Sequence, residues 1–358
     1  MHPATPKLNF SELFPCPQPR FAIFVFISPA TEAVLQRAMR IHVFFHDHCF
    51  DGACSAAFFT RFYRGCRDPH AEFAYTGMSH GPDKPFLDDT PLDGDENAVV
   101  DFKYTPSPRL DWWFDHHESA FLSPEDQAHF ERDKSGKKFF DPSFKSCTKF
   151  IATVSEERFG FRAPDLEDLV RWADIVDGAL YTDSATAVSM RAPATKLTLV
   201  IEAAKDETLM PRLIPLLASR TLEEIVAQPE IQNLFQPLYA LHLESIDVIR
   251  SRASCEDAVI FFDLGDIGME GYNKFIPYDL FPQGVYSVSV TVMPGRTKIS
   301  VGSNPWNNPA RMHNLAKICE RYGGGGHAKV GAISLPPGAL ERARAIAAEV
   351  VALLKTPA

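Results

Sequence analysis

Five short runs of the chain crowd together residues able to do chemistry. "HDHCFDG" sets His46, Asp47, His48, Cys49 and Asp51 at the end of an apolar stretch. "VVDF" carries Asp101 behind two valines, and "FDHHES" carries Asp115, His116 and His117 behind two tryptophans. "WADIVDG" holds Asp174 and Asp177 in an otherwise apolar segment. "GGGGH" runs from Gly323 to His327.

Such residue types suit a metal site. Hard divalent ions such as Mg²⁺ and Mn²⁺ prefer carboxylates, and imidazole is acceptable to Mn²⁺ and to borderline metals. Two ions about 3.5–4 Å apart need a bridging carboxylate with further ligands on each side. Asp101 is a candidate bridge, because a carboxylate at the end of a buried strand is costly unless paired or metal-bound. In "FDHHES", strand alternation sends Asp115 and His117 to one side and His116 to the other. One imidazole can then take a metal while the other reaches a phosphate, and Asp115 suits an acceptor that orients an imidazole. Glu118 reads as a solvated charge.

Asp174 and Asp177, three apart, share a helix face; Asp177 is expected to be a helix-end charge. The glycines of "GGGGH" let backbone N–H groups approach an anion, with His327 adding a donor. The plainer reading of that run is a flexible linker.

The elements that position these runs follow from the patterning. "IHVFFH", "EFAYTG", "NAVVDF" and "WWFDHH" read as strands, and "GACSAAFFTRFYR" as a helix after the first of them. The alternation predicts a mainly parallel sheet covered by helices. In such sheets ligands collect at the carboxyl ends of strands, which is where three of the acid and imidazole runs fall. "SFKSCTKFIATVSEERFG" is a helix with Ser143 or Ser146 as N-cap and Gly160 as its stop, and "APDLEDLVRWADIVDG" is another, ending at Gly178. Residues 194–252 carry Leu, Ile and Ala at helical spacing. Beyond them come a strand in "AVIFFDL", a hairpin in "VYSVSVTVMPGRTKISVGS" turning at Pro294–Gly295, and a helix in "NPARMHNLAKICERY". The glycine run, a strand "GAISL" and a final helix complete a smaller α/β domain.

The chain therefore divides into a proline-rich extension at 1–38, a metal-binding α/β domain at 39–190, a helical connector at 191–255 and a second domain at 256–358. Met39 is a candidate true start of the folded chain.

Composition narrows the function classes. The 358 residues are 45% hydrophobic and 23% charged, as in ordinary globular proteins. No apolar stretch is long enough to span a bilayer, so no membrane partner is expected. The apolar run Phe21–Ala30 is short and carries only Arg20 before it, a weak signal-peptide pattern. The seven cysteines form no C-x-x-C pair, which fits reduced thiols in the cytoplasm. A net charge of −10 argues against coating long DNA or RNA, and no long-duplex binding is expected. A small phosphorylated ligand held through metal ions remains compatible with it.

Taken in order, "HDHCFDG", Asp101 in "VVDF", "FDHHES", Asp174 in "WADIV" and "GGGGH" resemble the motifs of the DHH phosphoesterase superfamily with a C-terminal DHHA1 domain. The resemblance covers the chain from about Met39 to its end. It implies two domains with a cleft between them, and a two-ion centre, usually Mn²⁺ with Mg²⁺ as the alternative. It also implies hydrolysis of phosphoester or phosphoanhydride bonds. His46, Asp51, Asp101, His116 and Asp174 match the family's metal ligands. Asp115 stands beside them in support, and His117 matches the histidine that faces the phosphate. Gly324, Gly325, Gly326 and His327 match the substrate loop.

Two departures stand out. Cys49 occupies a position where the commoner motif has an aspartate, leaving Asp47, His48 or Cys49 to complete one metal site, a Cys49 thiolate being the least suited of the three to Mn²⁺. "SVGSNPW" lacks the arginine often found after its first serine, which makes Asn304 a candidate phosphate or sugar contact. Trp306 is either a base-stacking platform or, more simply, a packed tryptophan.

The expected function is a metal-dependent phosphoesterase acting on a small nucleotide or short oligonucleotide. A RecJ-like single-strand exonuclease and a non-catalytic nucleotide-binding module are the alternatives, and a homodimer is left open.

Overall fold

The structure is a computed structural model and describes residues 37–79, 91–269, 271–309 and 312–356. The run Phe21–Ala30, Cys16 and nearly all of the expected extension lie outside the described residues. The described chain groups into two compact units. One holds the residues up to Leu180 together with Leu197–Ile231; the other holds Tyr181–Lys196 and the chain from Gln232 onward.

The first unit opens with β1 (Arg40–His46), α1 (Phe50–Cys66), β2 (Glu72–Met78), β3 (Glu96–Val100) and β4 (Trp112–Asp115). It continues through α2 (Pro124–Arg132), β5 (Lys138–Phe140), α3 (Cys147–Phe159) and α4 (Glu167–Asp177). The five strands form one sheet in the order β2-β1-β3-β4-β5, and every pairing is parallel. The parallel sheet expected from the alternation is present. β5 was not foreseen: its "KFF" is only three residues long and shows no period.

The strand order reverses between β1 and β3. The space outside the carboxyl ends at such a point is the usual ligand position in sheets of this order. What holds the strand ends there is aromatic packing. Phe44, Phe45, Trp112, Trp113 and Phe114 are fully buried, as are Phe59 and Phe62 on α1. Each contributes about 1.5–3 kcal/mol of apolar burial. Gly52 lets the first turn of α1 sit on the end of β1, since a Cβ there would stand 2.1 Å from the His46 carbonyl oxygen.

α3 begins at Ser146, whose hydroxyl accepts from Lys149 N, and stops at Gly160 in the left-handed conformation. Both ends agree with the sequence reading.

Six further helices lie between the metal-binding runs and the hairpin: α5 (Ser184–Val188), α6 (Pro193–Glu202), α7 (Leu209–Leu217), α8 (Leu222–Val226) and α9 (Pro229–Arg252), then α10 (Ile276–Leu280) after β6 (Ser254–Glu256) and β7 (Val259–Asp263). The chain ends with β8 (Tyr286–Met293), β9 (Arg296–Ser303), α11 (Leu315–Glu320), β10 (Gly325–His327), β11 (Val330–Leu335) and α12 (Leu340–Leu354). The second unit's sheet has six strands in the order β10-β11-β9-β8-β7-β6, with only β7 and β8 parallel. Ala343, Ile346, Ala347, Val350 and Leu354 line one face of α12 and join a core with Val288, Val290, Ile299 and Val301.

The glycine run is not the flexible linker of the plainer reading. Gly325–His327 is an edge strand, paired antiparallel with β11. Gly326 has φ +146°, and a Cβ there would meet the Val330 carbonyl oxygen at 2.2 Å, so close strand pairing requires glycine. Among the described residues, the helix expected over 308–322 is limited to α11.

Among the described residues, no helix is long and apolar enough to cross a membrane.

Candidate metal centre

Outside the carboxyl ends of β1, β3 and β4, side chains from widely separated segments converge. Asp101 lies at the middle. Its residue is 1% exposed, yet neither carboxylate oxygen has a hydrogen-bond partner. The strand β3 stops just before it, and Asp101 takes φ +57° while its N–H donates to the Phe114 carbonyl at 2.9 Å. Left-handed backbone costs a non-glycine residue about 1 kcal/mol. An uncompensated buried carboxylate costs more, so the position makes physical sense only with cations beside it.

The cationic neighbours are imidazoles. His116 Nε2 is 3.3 Å from Asp101 Oδ1, and His46 Nδ1 is 3.5 Å from Asp101 Oδ2. Burial opposes ionisation of Asp101, but these imidazoles outweigh it and hold the carboxyl below its ordinary range. Burial likewise works against a charged His116, and Asp101, Asp51 and Asp177 together overcome it, raising His116 to about 10.

His116 is set for ligation. Its Nδ1 donates to the Phe144 carbonyl at 3.1 Å, which fixes the proton on Nδ1 and leaves Nε2 facing Asp101. His117 is held differently. Asp115 Oδ1 accepts from His116 N at 2.8 Å, from His117 N at 3.2 Å and from His117 Nδ1 at 2.7 Å. These bonds curl the chain immediately after β4. The alternation expected for "FDHHES" therefore fails, because the strand ends at Asp115, and both imidazoles gather near Asp101. Asp115 is the orienting acceptor the sequence suggested.

Asp51, on the first turn of α1, is completely buried. Its Oδ2 accepts from Cys147 N at 2.6 Å; its Oδ1 accepts from Thr148 N at 3.1 Å and from Thr148 Oγ1 at 2.6 Å. A carboxylate has about four lone-pair sites, so these bonds leave capacity toward His116 Nε2, 3.9 Å from Oδ2. Burial first, then Asp101 and Asp177, push the Asp51 carboxyl well upward.

The fourth run differs from expectation. Asp174 does not join the cluster: its Oδ1 accepts from Ser146 Oγ at 3.2 Å. Asp177, read as a helix-end charge, puts Oδ2 3.5 Å from His116 Nε2. The two are nearly one turn apart on α4, and the packing rotation of that helix selects the later one.

Asn304 is also corrected. It is 1% exposed, and its Nδ2 donates to the Gly284 carbonyl at 2.8 Å while its Oδ1 accepts from Trp306 N at 3.0 Å. An amide committed inside the second unit is not available to a phosphate or sugar. Trp306 is packed against Phe275, with Nε1 donating to the Tyr181 carbonyl, as the plainer reading held.

Potential ligand atoms fall into overlapping groups: His46–Cys49–Asp101, Asp101–His116–His117 and Asp51–His116–Asp177, the atoms of each lying within 4.8 Å of one another. Asp101 belongs to the first two groups and His116 to the last two. The unsatisfied oxygens of Asp101 and Nε2 of His116, all buried, are what a divalent ion would satisfy, so the residues fit the metal centre that the resemblance implies.

A parallel 2-1-3-4-5 sheet with this cluster at its switch point, in a chain that also builds a mixed second sheet, is a fold shared with solved structures. No protein-family model and no curated protein matches the sequence. Among solved structures the chain is similar to the pGpG-specific phosphodiesterase PggH from Vibrio cholerae, at 16% identity and TM-score 0.64, covering 88% of this chain and 99% of that one. It is also similar to RecJ from Thermus thermophilus in complex with Mn²⁺, at 16% identity and TM-score 0.50, covering 91% of this chain but 54% of that one.

Proposed function

We propose that the protein is a divalent-metal-dependent phosphoesterase that hydrolyses a small nucleotide or a short oligonucleotide. The observation that carries this is Asp101: a buried carboxylate without hydrogen-bond partners, flanked by ligand atoms of His46, Cys49, His116 and His117. Asp51, Asp101, His116 and Asp177 form an oxygen and nitrogen donor set suited to Mn²⁺ or Mg²⁺, and His46 with Asp101 belongs to a second subsite. Divalent ions bound there would supply Lewis-acid polarisation of a phosphoryl oxygen and a nucleophile available at neutral pH.

The remaining roles fall to the chain's own groups. His117 Nδ1 is held by Asp115, and its side chain is 36% exposed, which leaves the imidazole open to a substrate. Burial opposes its protonation, but Asp115 and Asp101 raise its pKa overall, and the imidazole is assigned to stabilise or protonate the leaving oxygen. Gly324, Gly325, Gly326 and His327 are assigned to substrate. In support, β10 is a sheet edge and a Cβ at Gly325 would meet nothing within 4 Å, so a ligand can approach the backbone.

The small-substrate reading is favoured over a RecJ-like exonuclease by charge: the net charge is −10, and holding a long strand rests on many cationic contacts to phosphates.

The test is a hydrolysis panel with Mn²⁺: a linear dinucleotide, a nucleoside bisphosphate, a cyclic dinucleotide, pyrophosphate and long single-stranded DNA. Turnover should concentrate on the smaller nucleotides. Preference for the long strand would favour the exonuclease, and nucleotide binding without metal uptake would favour a non-catalytic module.

A further inference from the structure

The position left open by the first motif has three occupants to choose from, and the structure separates them. Asp47 turns toward β2: its N–H donates to the Met78 carbonyl at 2.9 Å, and a Cβ at Gly77 would stand 2.5 Å from its Oδ2. His48 has φ +53° and a side chain 48% exposed, with Nε2 3.6 Å from Asp47 Oδ2. Neither joins a group of potential ligand atoms among the described residues.

Cys49 does. It is the N-cap residue of α1, with extended backbone, but its side chain makes no capping hydrogen bond. Its sulfur lies within 4.8 Å of a His46 ring nitrogen and of an Asp101 carboxylate oxygen. A cysteine alone would prove nothing. The independent observation is Asp101, 1% exposed, with both oxygens lacking hydrogen-bond partners.

We propose that Cys49 Sγ joins His46 and Asp101 in a mixed thiolate, imidazole and carboxylate subsite that takes a borderline ion such as Zn²⁺, Fe²⁺ or Co²⁺ in preference to Mn²⁺ or Mg²⁺. The inference rests on the metal centre proposed above but not on its substrate. Thiolates bind soft and borderline ions more strongly than hard ones, and Mn²⁺ stands lowest among the first-row divalent ions for a given nitrogen, oxygen and sulfur site. The neighbouring group of Asp51, His116 and Asp177 has no sulfur, so the two subsites are chemically unequal. Coordination replaces the S–H bond by a metal–sulfur bond, and the proton leaves to solvent.

The experiment titrates the metal-free full chain with Co²⁺ and follows absorption. Wild-type protein should develop a thiolate-to-Co²⁺ charge-transfer band in the near ultraviolet, and Cys49→Ser should not. Competition titrations should rank Zn²⁺ well above Mn²⁺ in the wild type. Cys49→Ser should weaken Zn²⁺ by more than about 100-fold, beyond the loss expected for an outer-shell partner. Cys49→Asp keeps a good helix cap and should bring the two ions closer in affinity, which guards against misreading a folding defect. If Co²⁺ binds and the hydrolysis panel is positive but no band forms, the thiolate proposal is overturned and the phosphoesterase reading stands. If no divalent ion binds, both fall.

Discussion

His116 Nε2 stands 3.3 Å from Asp101 Oδ1, although one residue follows β4 and the other follows β3. The parallel pairing of those strands brings their carboxyl ends side by side, with Val100 opposite Phe114. Each strand then ends at once: Asp101 leaves through a left-handed residue, and His116 leaves through the turn tied by Asp115. The result is an acid and an imidazole facing each other in a nearly dry space, an arrangement better suited to hold a cation between them than to stabilise the metal-free fold.

Replacing Asp101 by Asn follows directly. The substitution removes the carboxylate that the His46 and His116 imidazoles hold below its ordinary range, so the metal-free protein should melt at a lower temperature near neutral pH while remaining folded. Metal content should fall, and phosphoester hydrolysis should drop by about 10⁴-fold, the scale seen when one member of a catalytic unit is removed. Thermal melts, metal analysis and turnover together check this. Wild-type turnover in the variant would remove Asp101 from the centre.

Asp177 and Asp174 should separate cleanly. Asp177→Asn removes an oxygen beside His116 and should weaken metal binding by more than about 100-fold. Asp174→Asn disturbs only the bond from Ser146 Oγ and should cost about 1 kcal/mol of stability, with metal affinity little changed. Calorimetric metal titration of both variants decides the matter; the opposite ranking would restore Asp174.

How far the sequence anticipated these placements depends on the kind of information each needed. Strand ends were legible because apolar runs stop at His46, Asp101 and Asp115, and a parallel sheet must align such ends. Ser146 and Gly160 were legible because caps are local chemistry. The choice of Asp177 over Asp174 was not, because the rotation of α4 about its axis is set by packing through Leu169, Val170 and Ala173. The fate of His116 and His117 hinged on where β4 stops, which the side chain of Asp115 determines through three bonds to the residues after it. Asn304 was a candidate only through the resemblance, standing in "SVGSNPW" where an arginine is often found. The carbonyls that consume its amide come from residues 282 and 284, distant in sequence.

That burial makes Asn304 a structural residue. Asn304→Ala would strand the Trp306 N–H and the Gly284 carbonyl, at a cost of about 1–3 kcal/mol. Denaturant unfolding should show the loss, while metal content stays at the wild-type level. A variant of normal stability that fails only in substrate binding would return Asn304 to the substrate site.

The last prediction concerns pH. A metal that takes His116 Nε2 must displace its proton, and the acids around it raise that proton's pKa to about 10 despite burial. Metal affinity should therefore climb as pH rises from about 7 toward 10, with a proton released on binding. The folding effect of the same group has the opposite sign. Its folded pKa exceeds the unfolded value of about 6.5, so its contribution to metal-free stability is complete below about 6.5 and disappears as pH rises through about 10. The difference in melting temperature between wild type and His116→Asn reports this contribution together with the loss of its pairing to Asp101 and Asp51. It should be largest near pH 6 and shrink steadily into the alkaline range. Calorimetric titrations in buffers of different ionisation enthalpy count the released proton. A pH-independent affinity, with no proton release, would mean that His116 is not a ligand.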